Sequence, residues 1–205
     1  MIDISILVRP GTPEWPGDTP YSCGWTWSMA AGASVNVSAV TTSPHVGTHA
    51  DAPLHVRDGW PGSEALALDA FVGPALVLGI EGARGAIELA ALAEHIPAGT
   101  ERLLLRTGHS IAGGRFPDEW PALSAACATA LAARGLRLLG VDCPSVDERE
   151  SKALDTHQAL FSAGAHVLEN LDLRGVPDGP YQLLALPLRL HGLDAAPVRA
   201  VLKPE

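Results

Sequence analysis

Residues Ser43–Val56 read SPHVGTHADAPLHV and place His45, His49, Asp51 and His55 within eleven residues. Pro44, Gly47 and Pro53 forbid one continuous helix here, because proline lacks a backbone N–H and clashes with the preceding turn. The His-x3-His spacing is therefore not the helical pair of a zinc protease. The segment runs extended instead. Residues two apart on a strand share a face, so His49 and Asp51 point the same way. Gly47 lets the chain turn until His45 converges on the same point.

Upstream, TWSMAAGASVNVSAV has the pattern of a hairpin, with Ala31–Gly32 near its turn and Val35, Val37 and Ala39 on one face. Before it, RPGTPEWPGDTPYSCG packs prolines and glycines around Trp15, which marks an ordered loop. The start, IDISILV over 2–8, reads as a short strand. Downstream, Phe71 to Ile80, Glu101 to Thr107 and LRLLGVD ending at Asp142 are apolar runs of buried-strand length. Helical periodicity covers Ala86 to Ile96 and Glu119 to Ala133, with Gly135 as a stop signal. Asp155 can cap a helix beginning near Thr156. LLALPLRL and HGLDAAPVRAVL read as two strands joined by a Gly-containing turn. No repeat or linker divides the chain. The expectation is α/β: one domain over 1–205 with a mixed sheet and flanking helices.

Composition narrows the function classes. The chain has 205 residues, 47% hydrophobic and 18% charged, enough apolar material for a sizeable core. A formal net charge of −9 argues against a nucleic-acid partner, which needs Lys and Arg to neutralise phosphates, and against a polybasic membrane surface. No apolar run reaches the roughly 20 residues of a membrane span. The N-terminus lacks the pattern of a secretory signal, and Cys23, Cys127 and Cys143 form no CxxC pair. These signals point to a cytoplasmic protein with reduced thiols.

Imidazole nitrogen and carboxylate oxygen suit Zn²⁺ and similar cations, and an Asp with two oxygens can bridge two of them. For a single histidine, a hydrogen-bonded structural role is the ordinary reading. Three histidines and an aspartate at this density, among only eight histidines in the chain, favour a metal cluster. His157, His166 and Glu169 lie in LDTHQALFSAGAHVLENL. His157 and Glu169 are too far apart for adjacent turns of one helix, but meet at a site if the segment breaks at Gly164. His95, His109 and His191 carry no supporting carboxylate pattern. Asp142 and Asp147 in VDCPSVD fit a structural turn after a strand. Trp15, Trp25, Trp27 and Trp60 concentrate near the histidines. Trp15, poorly placed for a core, suits an aromatic ligand. The cysteines have no basic neighbour to make a thiolate, and no GxSxG, P-loop or GxGxxG motif is present.

The stretches WPGDTPY, SPHVGTHADAPLH, VDCPSVD and LPLRLHGLDAAPVRAVL together resemble the metal-dependent cyclase-like amidohydrolases, along nearly the whole chain and in the family's order. HxGTHxDxPxH marks the family, and the loop around Trp15 resembles its arylformamidase branch. The resemblance implies a partly barrel-like sheet, dimers or larger oligomers, and two metal ions per subunit, usually Zn²⁺, with Mn²⁺ or Co²⁺ as alternatives. It implies that His45 and His49 bind the first metal, His157 the second, and Asp51 and Glu169 bridge both. It makes His55 the acid/base residue and Trp15 a substrate contact. The implied reaction is hydrolysis of N-formyl-L-kynurenine to L-kynurenine and formate by a hydroxide held between the metals, in tryptophan degradation. Val56 departs from the aromatic residue that follows the last His in many relatives, a difference that leaves the metal ligands untouched and bears on the detailed shape of the substrate pocket. Two alternatives use the same residues: hydrolysis of another aryl or cyclic amide such as isatin, and metal or small-molecule binding without turnover. A non-ligating His55 beside the metals has no use in the last.

Overall fold

The apolar runs centred on Val77, Leu104 and Leu139 become adjacent parallel strands in the computed structural model, which describes residues 1–204. Glu205, the end of the expected domain, lies outside the described residues. In chain order the strands are β1 (Ile2–Asp3), β2 (Ser22–Trp27), β3 (Val37–Thr41), β4 (His49–Asp51), β5 (Val72–Gly79), β6 (Ala86–Ile87), β7 (Arg102–Arg106), β8 (Ala122–Leu123), β9 (Leu138–Val141), β10 (His166–Glu169), β11 (Gly179–Leu184), β12 (Ala195–Pro197) and β13 (Val201–Pro204). The helices are α1 (Leu89–Leu92), α2 (Ala125–Ala133) and α3 (Asp155–Ser162).

Nine strands form one sheet in the order β1-β13-β11-β5-β7-β9-β10-β4-β12. The central β5-β7-β9-β10 pairings are parallel and the outer ones antiparallel, so the sheet is mixed as expected. It curls: Ser5, just past β1 at one edge, bridges Leu171, just past β10 near the other. Side chains alternate between two cores. Val77, Leu104, Leu138 and Leu168 face the inside of the curl. Leu78, Leu103, Leu105, Leu139 and Val167 face a layer made by α2 and α3. Burial on both faces explains why these strands read as unbroken apolar runs.

Several expected boundaries shift. The run 86–96 yields only β6 and the one-turn α1, because Glu88 leaves the β ladder with extended backbone at the helix start. Helix α2 begins at Ala125, not Glu119, since Pro121 precedes β8 and Ser124 Oγ accepts the Cys127 N–H as the cap. The opening strand is a two-residue ladder. The two expected C-terminal strands do pair across their turn, Leu183 with Leu202, Leu184 with Val201 and Pro187 with Val198, while β12 between them also joins β4. β2 and β3 form the expected hairpin, but all eleven of its strand residues are exposed.

Candidate functional site

β4 lies between β10 and β12, and its register decides which side chains meet. His49 stands opposite Glu169, and Asp51 stands opposite both Val167 and Ala195. Gly47 makes the preceding turn with φ +77°, and a Cβ there would come within 2.4 Å of Val8 Cγ2, so no other residue fits without a shift. The turn returns His45 to the face carrying His49 and Asp51. After β4, a short 3-10 turn over Pro53–His55 swings His55 over the same point. Helix α3 ends at Ser162, Gly164 takes φ +76°, and the chain re-enters as β10. The break at Gly164 brings His157 and Glu169 together.

Three trios of donor atoms result: a half-buried one of His45, His55 and Asp194 at the cleft, and two deeper ones that share Asp51. In the first of the deeper two, His45 Nδ1 lies 3.1 Å from His49 Nε2 and 3.1 Å from Asp51 Oδ1, and His49 Nε2 lies 3.2 Å from Asp51 Oδ1. In the second, His157 Nε2 lies 3.2 Å from Asp51 Oδ2 and 3.3 Å from Glu169 Oε1. Asp51 thus offers one oxygen to each of these two. Glu169 Oε2 lies 3.6 Å from His49 Nε2, so Glu169 also spans both. Ligands held at about 2.0 Å in a tetrahedron stand roughly 3.3 Å apart, which matches the five separations of 3.1 to 3.3 Å. Asp51 is fully buried and its Oδ1 makes no hydrogen bond, although a buried oxygen left unpaired is costly. A cation satisfies that oxygen, and the donor set suits one.

Hydrogen bonds on the far side fix the imidazoles. His49 Nδ1–H donates to the Gly47 carbonyl (2.9 Å) and His157 Nδ1–H to Asp147 Oδ2 (2.6 Å), leaving Nε2 of each ring facing its trio. Such outer partners orient metal-binding imidazoles. Asp147 also accepts the backbone N–H groups of Thr156 and His157, so it caps α3 in place of Asp155. The turn reading of VDCPSVD holds for Asp142, whose carboxylate takes N–H groups of Thr107 and Gly108. For Asp147 it is incomplete. The side chain serves the site, and only its separation of ten residues from His157, invisible without the turn geometry, hid this.

A second residue escaped sequence reasoning. Asp194 Oδ2 accepts from His45 Nε2–H (2.9 Å) and His55 Nδ1–H (3.2 Å). Nothing local signals it: it stands immediately before β12, and long-range pairing delivers it.

The titration pattern follows from this crowding. Burial disfavours the His45 imidazolium, yet the carboxylates of Asp194 and Asp51 outweigh it and push His45 up to about 10. Burial acts likewise on His157, which Asp147, Asp51 and Glu169 hold well above the usual histidine range. Asp51 would be raised by burial, but His49, His157 and His45 hold it well below the carboxylate range. Asp194 is lowered by its hydrogen bonds to His45 and His55. Burial pushes the Cys143 thiol well up and the Cys127 thiol to about 11, which disfavours the thiolate at both.

The trios sit beside a cleft of about 670 Å³. Trp15, on a turn closed by the Asp18 N–H to its carbonyl, lines the cleft at 39% exposure. Its ring meets Phe116 and Trp120 edge to face, at 5.5 and 5.9 Å between centroids. The other tryptophans are elsewhere: Trp25 and Trp27 project from the hairpin, and Trp60 packs on the helical core beneath Arg57. His166 turns away from the trios to pack on Phe71. Among the described residues, His55 Nε2 has no protein partner.

A family model described as "Putative cyclase" matches residues 2–148. The chain is similar to the kynurenine formamidase of Bordetella pertussis, with 45% identity over 98% of this chain and 96% of the relative. It is also similar to that of Delftia acidovorans, with 46% identity over 98% and 96%. A solved structure described as a potential metal-dependent hydrolase with cyclase activity superposes with TM-score 0.83 at 30% identity, covering 98% of this chain and 95% of that one. The chain belongs to the Cyclase family.

Proposed function

We propose that this chain is a metal-dependent amidohydrolase that converts N-formyl-L-kynurenine to L-kynurenine and formate, a step of tryptophan degradation. The observation that carries the reading is the pair of donor trios sharing Asp51 beneath His55, in a chain 45% identical to kynurenine formamidases along nearly its whole length. In this reading His45, His49 and Asp51 hold one ion, and Asp51, His157 and Glu169 hold a second. Zn²⁺ fits this mixed set of three imidazoles and two carboxylates, and Mn²⁺ or Co²⁺ accepts the same ligands.

Metal ions in such a site lower the pKa of water towards neutrality and polarise a carbonyl. The rest falls to side chains. The Trp15 ring, braced by Phe116 and Trp120, offers a face to the aryl ring and places the formamide over the trios. An arylamide anion is a poor leaving group, so the nitrogen must gain a proton as the C–N bond breaks. His55 delivers it from Nε2, a step worth typically 10²–10⁴-fold. One water is consumed: its oxygen ends on formate and the amine leaves neutral.

We further propose one hydrolase domain over 1–205, working in the cytoplasm as a homodimer without nucleic-acid or membrane partners. All three cysteines are free. The hairpin supports a second copy: Trp25 and Trp27 are 66% and 59% exposed on it, a display that marks an interaction surface. Leu184 and Val72, paired across β11 and β5, and Leu186 and Leu188 further along the chain are also exposed and offer apolar surface for the partner's arm. Light scattering on the wild type and on Trp25→Ser/Trp27→Ser tests the pairing.

Kynurenine release from N-formyl-L-kynurenine, comparing metal-stripped protein with protein reloaded with Zn²⁺, tests the function. Turnover that vanishes and returns supports it. Reloaded protein that hydrolyses isatin but not the formamide moves the substrate to a cyclic amide.

A further inference from the structure

We propose that Asp194 is the positioning residue of the proton donor: its carboxylate fixes the His55 imidazole with Nδ1–H bound and Nε2 free to face the cleft. Three observations carry this. His55 Nδ1 and Asp194 Oδ2 are 3.2 Å apart, and His55 Nε2 has no partner among the described residues. The His55 ring, 30% exposed on a single 3-10 turn, packs on the rings of His45 and His157 but hydrogen-bonds to Asp194 alone among the described residues, so no other contact selects which ring nitrogen carries the proton. Asp194 itself is anchored by the sheet: its carbonyl accepts the Ala52 N–H (2.8 Å), and the next residue, Ala195, pairs with Asp51. The register that sets Asp51 in both trios therefore also sets the carboxylate that aims His55.

The same Asp194 oxygen takes the Nε2–H of His45, at 2.9 Å. One carboxylate thus joins the imidazole facing the first trio to the imidazole that moves the proton, and holds both tautomers. A neutral His55 bonded through Nδ1 has its Nε2 lone pair available to take a proton. Once protonated it donates from Nε2 to the departing nitrogen while the carboxylate balances its charge. This parallels the way a buried carboxylate orients histidine in a hydrolytic triad.

The inference rests on the formamidase reading for its substrate, so the experiment separates the two. Zinc-loaded wild type, Asp194→Ala, His55→Ala and the double variant are assayed on N-formyl-L-kynurenine and on p-nitrophenyl formate, whose nitrophenolate leaves without a proton. At equal metal content, Asp194→Ala is expected to lower kcat on the formamide about 10²-fold and leave the ester within a few-fold. It should add little in the His55→Ala background, since residues acting as one unit are not additive. Equal losses on both substrates, or full additivity, overturn the proposal and leave Asp194 acting through the metals alone. Nitrogen-15 spectra of wild-type protein give a reading free of variants and turnover. His55 must appear with Nδ1 protonated, and an Nε2–H tautomer overturns the assignment. Wild type that spares the formamide yet shows this tautomer refutes the substrate, not the positioning.

Discussion

Asp147 Oδ2 stands 2.6 Å from His157 Nδ1, while Oδ1 of the same carboxylate takes the Thr156 N–H at 2.8 Å. One side chain thus starts helix α3 and aims its imidazole. Replacing Asp147 by Ala removes the cap and frees the ring together. The expected result is a 10–100-fold loss of affinity for the second metal. Chelator competition reads the affinity, and an unchanged second equivalent refutes the role.

Metal loading should release protons. His45, pushed up to about 10, and His157, also raised, carry protons in the metal-free protein at neutral pH and must shed them to bind a cation. Affinity for Zn²⁺ therefore climbs with pH. The sign is opposite for the metal-free fold: a raised histidine stabilises it fully below about 6.5, and that contribution fades as pH rises towards 10. Calorimetry in two buffers of different ionisation enthalpy checks the first trend, and melting of stripped protein against pH the second.

Asp51 and His55 should fail differently. Asp51→Ala removes the oxygen donor shared by both trios, so on the proposed assignment metal content and melting temperature drop together, because bound metal stabilises the fold by mass action. His55→Ala keeps its metals and loses kcat on the formamide by roughly 10²–10⁴-fold. Elemental analysis beside steady-state kinetics separates the two.

Trp15→Ala should raise KM more than it lowers kcat, by up to about tenfold, the scale of an aromatic contact of roughly 0.5–1.5 kcal/mol. Trp15→Phe should recover most of it. A kcat effect larger than the KM effect would place Trp15 closer to the chemistry.

His166 predicts an acid weakness distant from catalysis. Burial lowers its pKa, and its Nδ1 has no hydrogen-bond partner. The unfolded chain takes up this proton first, so stability is lost as pH falls through about 6.5 and levels off below the folded-state value. Urea melts at two pH values should show a smaller difference in His166→Gln than in wild type.

The sequence told much of this because its densest signal was local. Proline and glycine around His45 to Asp51 excluded a helix, and the two-residue period placed His49 and Asp51 on one face. Gly164 marked the break that joins His157 to Glu169. What stayed hidden depends on partners far along the chain. Asp147 and Asp194 act through a turn and a strand pairing that no periodicity announces. The 86–96 and 119–133 patterns overstated helix because short ladders formed with remote partners, β6 with β8, override local propensity. The hairpin's polarity was unreadable for the same reason: alternation reports a face, not whether anything covers it.

The place of β4 between β10 and β12 also has a kinetic meaning. Its neighbours come from more than 110 residues later in the chain, so the trios cannot close until those segments have been synthesised and threaded into place. A nascent chain holding only the His45–His55 segment has one trio's side chains without their frame. Long-range pairing of this kind slows folding, so the frame that holds the donor side chains together is among the last parts of the molecule to form.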